Sequence, residues 1–147
     1  MTASQPSKVD DVTVGEVWQQ LKANPASVLI DVRTRSEWAF VGLPDLSALN
    51  RRPVLVEWLT FPDNRLNAGF ATELAEQLKG LGVDHDTELF FICRSGGRSR
   101  QAAQVMAAAG YRHCHNVAEG FEGPLDAEKR RGRHSGWKAE GLPWNQG

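Results

Sequence analysis

Short apolar runs recur along this chain, and between them lie stretches with helical spacing of apolar residues. Ser27-Val28-Leu29-Ile30-Asp31-Val32 and Pro53-Val54-Leu55-Val56-Glu57-Trp58 read as strands. Tyr111 to Val117 carries another. Glu88-Leu89-Phe90-Phe91-Ile92 is the clearest of all, a buried run between a polar turn and a glycine loop. A short first strand is expected near Asp11 to Thr13. Thr13 and Glu16 have capping-box spacing, which predicts a helix running to about Ala23, where Asn24-Pro25 stops it. Thr34 and Glu37 repeat that spacing and predict a short helix through about Ala39. A third helix is expected from Ala68 to Lys79, ended by Gly80 and Gly82, and a fourth from Arg98 to Ala109 with Gly110 as its C-cap. Ser47 to Arg52 and Thr60 to Asn67 read as loops. Strands alternating with helices predict an α/β domain with a largely parallel sheet.

Composition narrows the class without changing this outline. The 147 residues suit one domain, here 11–147 behind a flexible segment 1–10. Seventeen basic and 18 acidic residues leave a formal net charge of -1, so nothing global points to nucleic acid or a membrane surface. Lys129, Arg130, Arg131, Arg133 and His134 form a local basic cluster that reads as a solvated loop. There is no apolar run of membrane-spanning length, and Met1 to Asp11 lacks the apolar middle of a signal peptide. The expected location is the cytoplasm. Two cysteines do not make a disulfide framework, and they fit a reducing compartment where thiols stay free.

The candidate chemistry lies where the clearest strand ends. Cys93 heads the segment Cys93-Arg94-Ser95-Gly96-Gly97-Arg98-Ser99, and a helix follows at once. In open α/β sheets, sites form outside the carboxyl ends of the strands. The glycine pair lets the backbone turn tightly, so that successive N–H groups face inward as an anion nest. The helix behind it adds partial positive charge, while Arg94 and Arg98 add full charges. Ser95 and Ser99 offer hydroxyls. Cysteines in such surroundings are shifted toward the nucleophilic thiolate. The same field would hold an anionic leaving group.

This loop closely resembles the active-site loop of the rhodanese family of sulfurtransferases. Leu29-Ile30-Asp31-Val32-Arg33 with the later Glu37-Trp38 resembles that family's Asp-Val-Arg segment and its acidic-aromatic pair. Asn116-Val117 with Glu119-Gly120-Phe121, then Gly136-Trp137 and Gly141-Leu142-Pro143, supply a third match. The resemblance implies a three-layer α/β/α fold on a five-stranded parallel sheet of order 1-5-4-2-3. It also implies a mechanism. Cys93 would take sulfane sulfur from thiosulfate or a similar small anionic donor. It would carry that sulfur as a persulfide and pass it to cyanide, a small thiol or a protein thiol. The main chain from Arg94 to Ser99 would hold the persulfide, Arg98 would guide the donor, and no metal or organic cofactor would be needed. Where the family continues with Gly-His-Ile-Pro-Gly-Ala, this chain has Val41-Gly42-Leu43-Pro44-Asp45-Leu46, so any role of that histidine does not transfer. Leu125 to Ser135 looks like an insertion.

Other residues have simpler readings. Asp31, Arg33 and Glu37 are expected to form a structural ion pair and a helix cap rather than an acid-base set. Cys114 is expected in the core, too far from Cys93 for a disulfide. His113 and His115 are expected at the surface or an edge, without a metal. Trp58 is expected to approach the site from its strand end. Two other functions compete. A phosphatase of related fold needs arginine six positions after its cysteine, and Ser99 stands there. A sulfur-delivery or docking module would use the basic insertion to meet a protein partner.

Overall fold

The computed structural model describes residues 9–60, 65–131 and 135–146. Its elements run β1 (Asp10–Val12), α1 (Val14–Ala23), β2 (Val28–Asp31), α2 (Arg35–Phe40), β3 (Leu43–Pro44), a 3-10 turn (Ser47–Leu49), β4 (Val54–Leu55), β5 (Leu59–Thr60) and β6 (Arg65–Leu66). There follow α3 (Phe70–Gly80), β7 (Glu88–Ile92), α4 (Gly97–Ala108), β8 (His113–Val117) and β9 (Trp144–Asn145). Thr13 and Thr34 each close a full capping box, with Glu16 and Glu37 as partners, as the spacing predicts. β1 takes in Asp10, the last residue of the segment expected to be flexible.

The central sheet has the order β1-β8-β7-β2-β4, and every pairing in it is parallel. Numbered by its own members, that is 1-5-4-2-3, the expected order. Alternation along the strands divides the core into two layers. Ile30, Leu89 and Phe91 face α3 and α4, packing on Phe70, Leu74, Leu78, Ala102, Ala103 and Met106. Leu29, Phe90 and Ile92 face the other way, onto Val17 and Leu21 of α1 and onto Leu46, Phe121 and Trp137. A parallel sheet needs this double cover, which is why its strands are apolar throughout.

Two expectations about the periphery change. The run Pro53 to Trp58 gives only two strand residues, because it lies on the sheet edge after a proline that has no N–H. Beyond β4 it still follows β2, with the N–H groups of Val56 and Trp58 bonding to the carbonyls of Asp31 and Val32. The predicted loop from Thr60 to Asn67 contains the hairpin β5/β6, and its residues 61–64 lie outside the described residues. β3 pairs antiparallel with β9, so the C-terminal segment returns to the chain just after α2. Trp58 is buried in the same core layer as Cys93. Its indole N–H donates to Gln101, and its ring meets Phe70 edge-on.

Candidate functional site

Cys93 follows β7 directly, and its residue is 1% exposed. Three donors converge on its sulfur. The N–H of Gly96 lies 3.2 Å away, the N–H of Ser99 3.3 Å, and the Ser99 hydroxyl oxygen 3.2 Å. The turn that aims them depends on one glycine. Gly96 has φ of 103°, and a Cβ built there would stand 2.3 Å from the carbonyl oxygen of Ala118. Gly97 needs no such freedom. It is the first residue of α4, and a Cβ there would meet nothing within 4 Å. The glycine pair read from the sequence thus divides into one essential and one replaceable position. Gly97→Ala should leave stability within about 0.5 kcal/mol. Gly96→Ala should cost upward of about 1 kcal/mol in backbone strain alone, and it should move the Gly96 N–H off the sulfur. Thermal melts of the two variants check this.

A second glycine locks the loop from outside. Gly120 has φ of 71°, and a Cβ there would lie 2.4 Å from the carbonyl oxygen of Arg94. The carbonyls of Cys93 and Arg94 accept from the N–H groups of Phe121, Glu122 and Gly123. Gly123 in turn accepts from the Arg131 side chain, so the insertion is tied to the segment that backs the cysteine loop. Lys129 and Arg130 are exposed on a turn held by Asp126. Arg133 and His134 of the basic cluster lie outside the described residues.

The two arginines of the loop sit in different surroundings. Arg94 and Ser95 are exposed. Arg98 makes a two-pronged ion pair with Glu37, at 2.7 and 2.9 Å. The Glu37 carboxylate also accepts from the N–H and the hydroxyl of Thr34. One residue therefore caps α2 and ties it to α4. Burial pushes the Glu37 carboxyl up, but the Arg98 guanidinium and the Thr34 bonds outweigh it and bring it to about 2, from an ordinary 4.5. Because the folded value is depressed, the stability from this contact is complete above about pH 4.5 and is lost as the pH falls toward 2. Urea midpoints of the wild type should fall across that window, and those of Glu37→Gln should fall less.

The expected ion pair of Asp31 and Arg33 is fully buried. The single Nε–H of the guanidinium is shared between the two Asp31 oxygens, at 2.9 and 3.1 Å, and Nη2 donates to one of them at 2.6 Å. Nη2 also reaches the carbonyl of Gly42 at 2.8 Å, and the guanidinium carbon lies 4.3 Å from the Phe121 ring centroid. This is an architectural joint between β2, the chain after α2, and the segment after β8.

Cys114 is buried, and burial together with the Glu88 charge pushes its thiol up to about 12. It pairs in register with Leu89, four residues before Cys93, which is about 13 Å along a strand. Both cysteines are free. His113 opens β8, an inner strand, opposite Glu88, and is half exposed. His115 is more enclosed than expected, held between Asp10 and Glu88 at 2.5 and 2.7 Å.

The family match includes Asn116 but gives it no role at the sulfur, and Asp11 lies outside every motif. Asn116 is buried, and its amide oxygen lies 2.5 Å from the Ser99 hydroxyl. Its amide nitrogen donates to Asp11 at 3.0 Å. A buried asparagine inside a strand is unusual, and that was the available signal.

The matching family model is described as the STR4 middle domain, and it covers residues 10–147. The chain belongs to that rhodanese-like family. An uncharacterised Rickettsia prowazekii protein, RP600, is 35% identical over 136 residues, which are 92% of this chain and 97% of that protein. Among solved structures, Rv0390 from M. tuberculosis superposes with a TM-score of 0.86 at 47% identity, covering 96% of this chain and all of the other. The thiosulfate:glutathione sulfurtransferase of Saccharomyces cerevisiae is 34% identical over 93 residues, 61% of this chain and 58% of that enzyme. This rhodanese-like chain thus falls in a superfamily rich in sulfurtransferases. Among its described residues, no helix is long and apolar enough to cross a membrane.

Proposed function

We propose that this protein is a sulfurtransferase whose Cys93 accepts sulfane sulfur from thiosulfate or a related small anion. The observation that supports this reading most is the convergence of three donors on one sulfur. Such donors favour an anion at that place over a neutral thiol. The Cys93 thiolate attacks the outer sulfur of the donor. A new S–S bond forms, the old one breaks, and its electron pair leaves with sulfite. The persulfide then carries its negative charge on the outer sulfur, within the loop of Arg94 to Ser99. An acceptor, cyanide or a thiolate, attacks that outer sulfur and restores the Cys93 thiolate. No proton or external electron is needed for the two steps to balance.

Arg98 holds Glu37, so its positive charge is already matched. Recruitment of the donor falls instead to exposed Arg94 and to the amides of the turn. A phosphatase reading is disfavoured because Ser99 holds the sixth position after Cys93, with its N–H 3.3 Å and its hydroxyl oxygen 3.2 Å from the sulfur. The decisive experiment is mass spectrometry of the protein after exposure to thiosulfate. One added sulfur on the Cys93 peptide is expected. An unmodified peptide, alongside release of phosphate from an aryl phosphate, would reverse the reading.

A second reading, delivery to a protein thiol in the cytoplasm, is favoured by Lys129 and Arg130, which stand exposed on the insertion whose Arg131 holds the carbonyl of Gly123, a residue whose N–H bonds to Arg94. Slow turnover with cyanide beside fast transfer to a protein thiol would select it.

A further inference from the structure

The Ser99 hydroxyl has a single proton and three acceptors in reach. Asn116 Oδ1 lies at 2.5 Å, Cys93 Sγ at 3.2 Å and the carbonyl of Gly96 at 3.3 Å. Which of them receives the proton depends on how the Asn116 amide is turned, and the amide is turned by Asp11. A carboxylate only accepts hydrogen bonds. Asp11 therefore takes the amide N–H and leaves the amide oxygen facing Ser99. The Asn116 bond, then partial burial in the opposite sense, then Arg100 set the Asp11 carboxyl, and together they hold it below its ordinary value, so it stays ionised. The contact spans 105 residues of sequence and exists because Asp11 and Asn116 are register partners in β1 and β8.

We propose that Asp11 and Asn116 are positioning residues for the Cys93 sulfur: by holding the amide oxygen toward Ser99, they compete with the sulfur for the one hydroxyl proton. When the sulfur is a thiol, the hydroxyl bonds to Asn116. When the sulfur is an anion, the hydroxyl must turn to it, and Asn116 Oδ1 is left buried without that donor. The pair thus moderates the anion that the backbone amides favour. If the amide is released, it can rotate and donate to Ser99, and the hydroxyl proton is then free for the sulfur. The inference concerns the sulfur's reactivity. It rests on the proposed function only for its consequence in sulfur transfer.

The test is iodoacetamide alkylation of Cys93 across pH, read by peptide mass spectrometry. In Asp11→Asn the side chain keeps its size but no longer dictates the amide's orientation. Alkylation at pH about 6 should rise about fivefold, the size of one hydrogen bond to a charged group moderated by competition, and the whole profile should move toward acid. Asn116→Ala removes the competing oxygen outright and should act in the same direction, which covers a failure of Asp11→Asn to fold. Arg100→Ala breaks the Asp11–Arg100 ion pair but leaves the Asn116 contact, and its profile should match the wild type. In a Ser99→Ala background, Asp11→Asn should change nothing. An unchanged profile in both Asp11→Asn and Asn116→Ala would overturn the proposal. So would an Asp11→Asn effect that persists without the Ser99 hydroxyl, or one reproduced by Arg100→Ala. Alkylation reads the sulfur whether or not thiosulfate modifies it, so failure of the relay and failure of the sulfurtransferase reading are distinguishable.

Discussion

Cys93→Ser should abolish sulfur transfer and leave the fold in place. A serine hydroxyl is a far weaker nucleophile at neutral pH than a thiol, which is partly ionised there and intrinsically reactive. The three groups directed at the sulfur are placed as donors rather than as a base. The loss should therefore reach the uncatalysed background rather than a partial rate. Stability should hardly change, because serine is close to isosteric and the same donors can bond its oxygen. Cys114 cannot substitute, since it is buried with its thiol pushed up to about 12. Transfer rates from thiosulfate to cyanide, measured beside thermal melts, test this. Activity surviving in a folded Cys93→Ser would remove the mechanism.

The largest effect on stability is expected away from the sulfur. Asp31→Ala should lower the free energy of unfolding by about 3–5 kcal/mol. It leaves the Arg33 guanidinium buried without its carboxylate, with only Gly42 and the Phe121 face as neighbours. Domains of this size are stable by about 5–15 kcal/mol, so the loss would be a large fraction of the total. The penalty comes from stranding a charge, which gives the prediction a second half. Replacing both partners by apolar residues, Asp31→Leu with Arg33→Met, should recover most of the loss. Urea titrations of the three proteins provide the comparison. A single variant within about 1 kcal/mol of the wild type would mean that the pair is not buried as described.

Cys93, the strand before it and the helix after it are legible in the sequence because those features are local. The division of roles inside the loop is not local. Gly96 and Gly97 look alike in a sequence, yet only Gly96 faces a backbone oxygen that excludes a side chain. Arg98 looks like a free anion guide until α2 brings Glu37 to it. The edge strand β4 looked longer than it is, since an apolar run reports burial and not ladder pairing.

The sequence by itself determined the alternation of strands and helices, the two capping boxes, the strand order through family resemblance, and the cysteine at a carboxyl strand end. Each rests on spacing within a few residues or on a contiguous motif, so neighbouring positions suffice to encode it. The tertiary structure alone decided what surrounds the sulfur. Glu37, Asn116 and Gly120 reach the cysteine loop from elsewhere in the chain, and Asp11 reaches it through Asn116. Their places follow from the parallel register of β1 on β8, from the packing of α2 beside α4, and from the closeness of two backbones at Gly120 and Arg94. Those relations arise only when the sheet closes, because a parallel pairing joins residues that no local pattern connects.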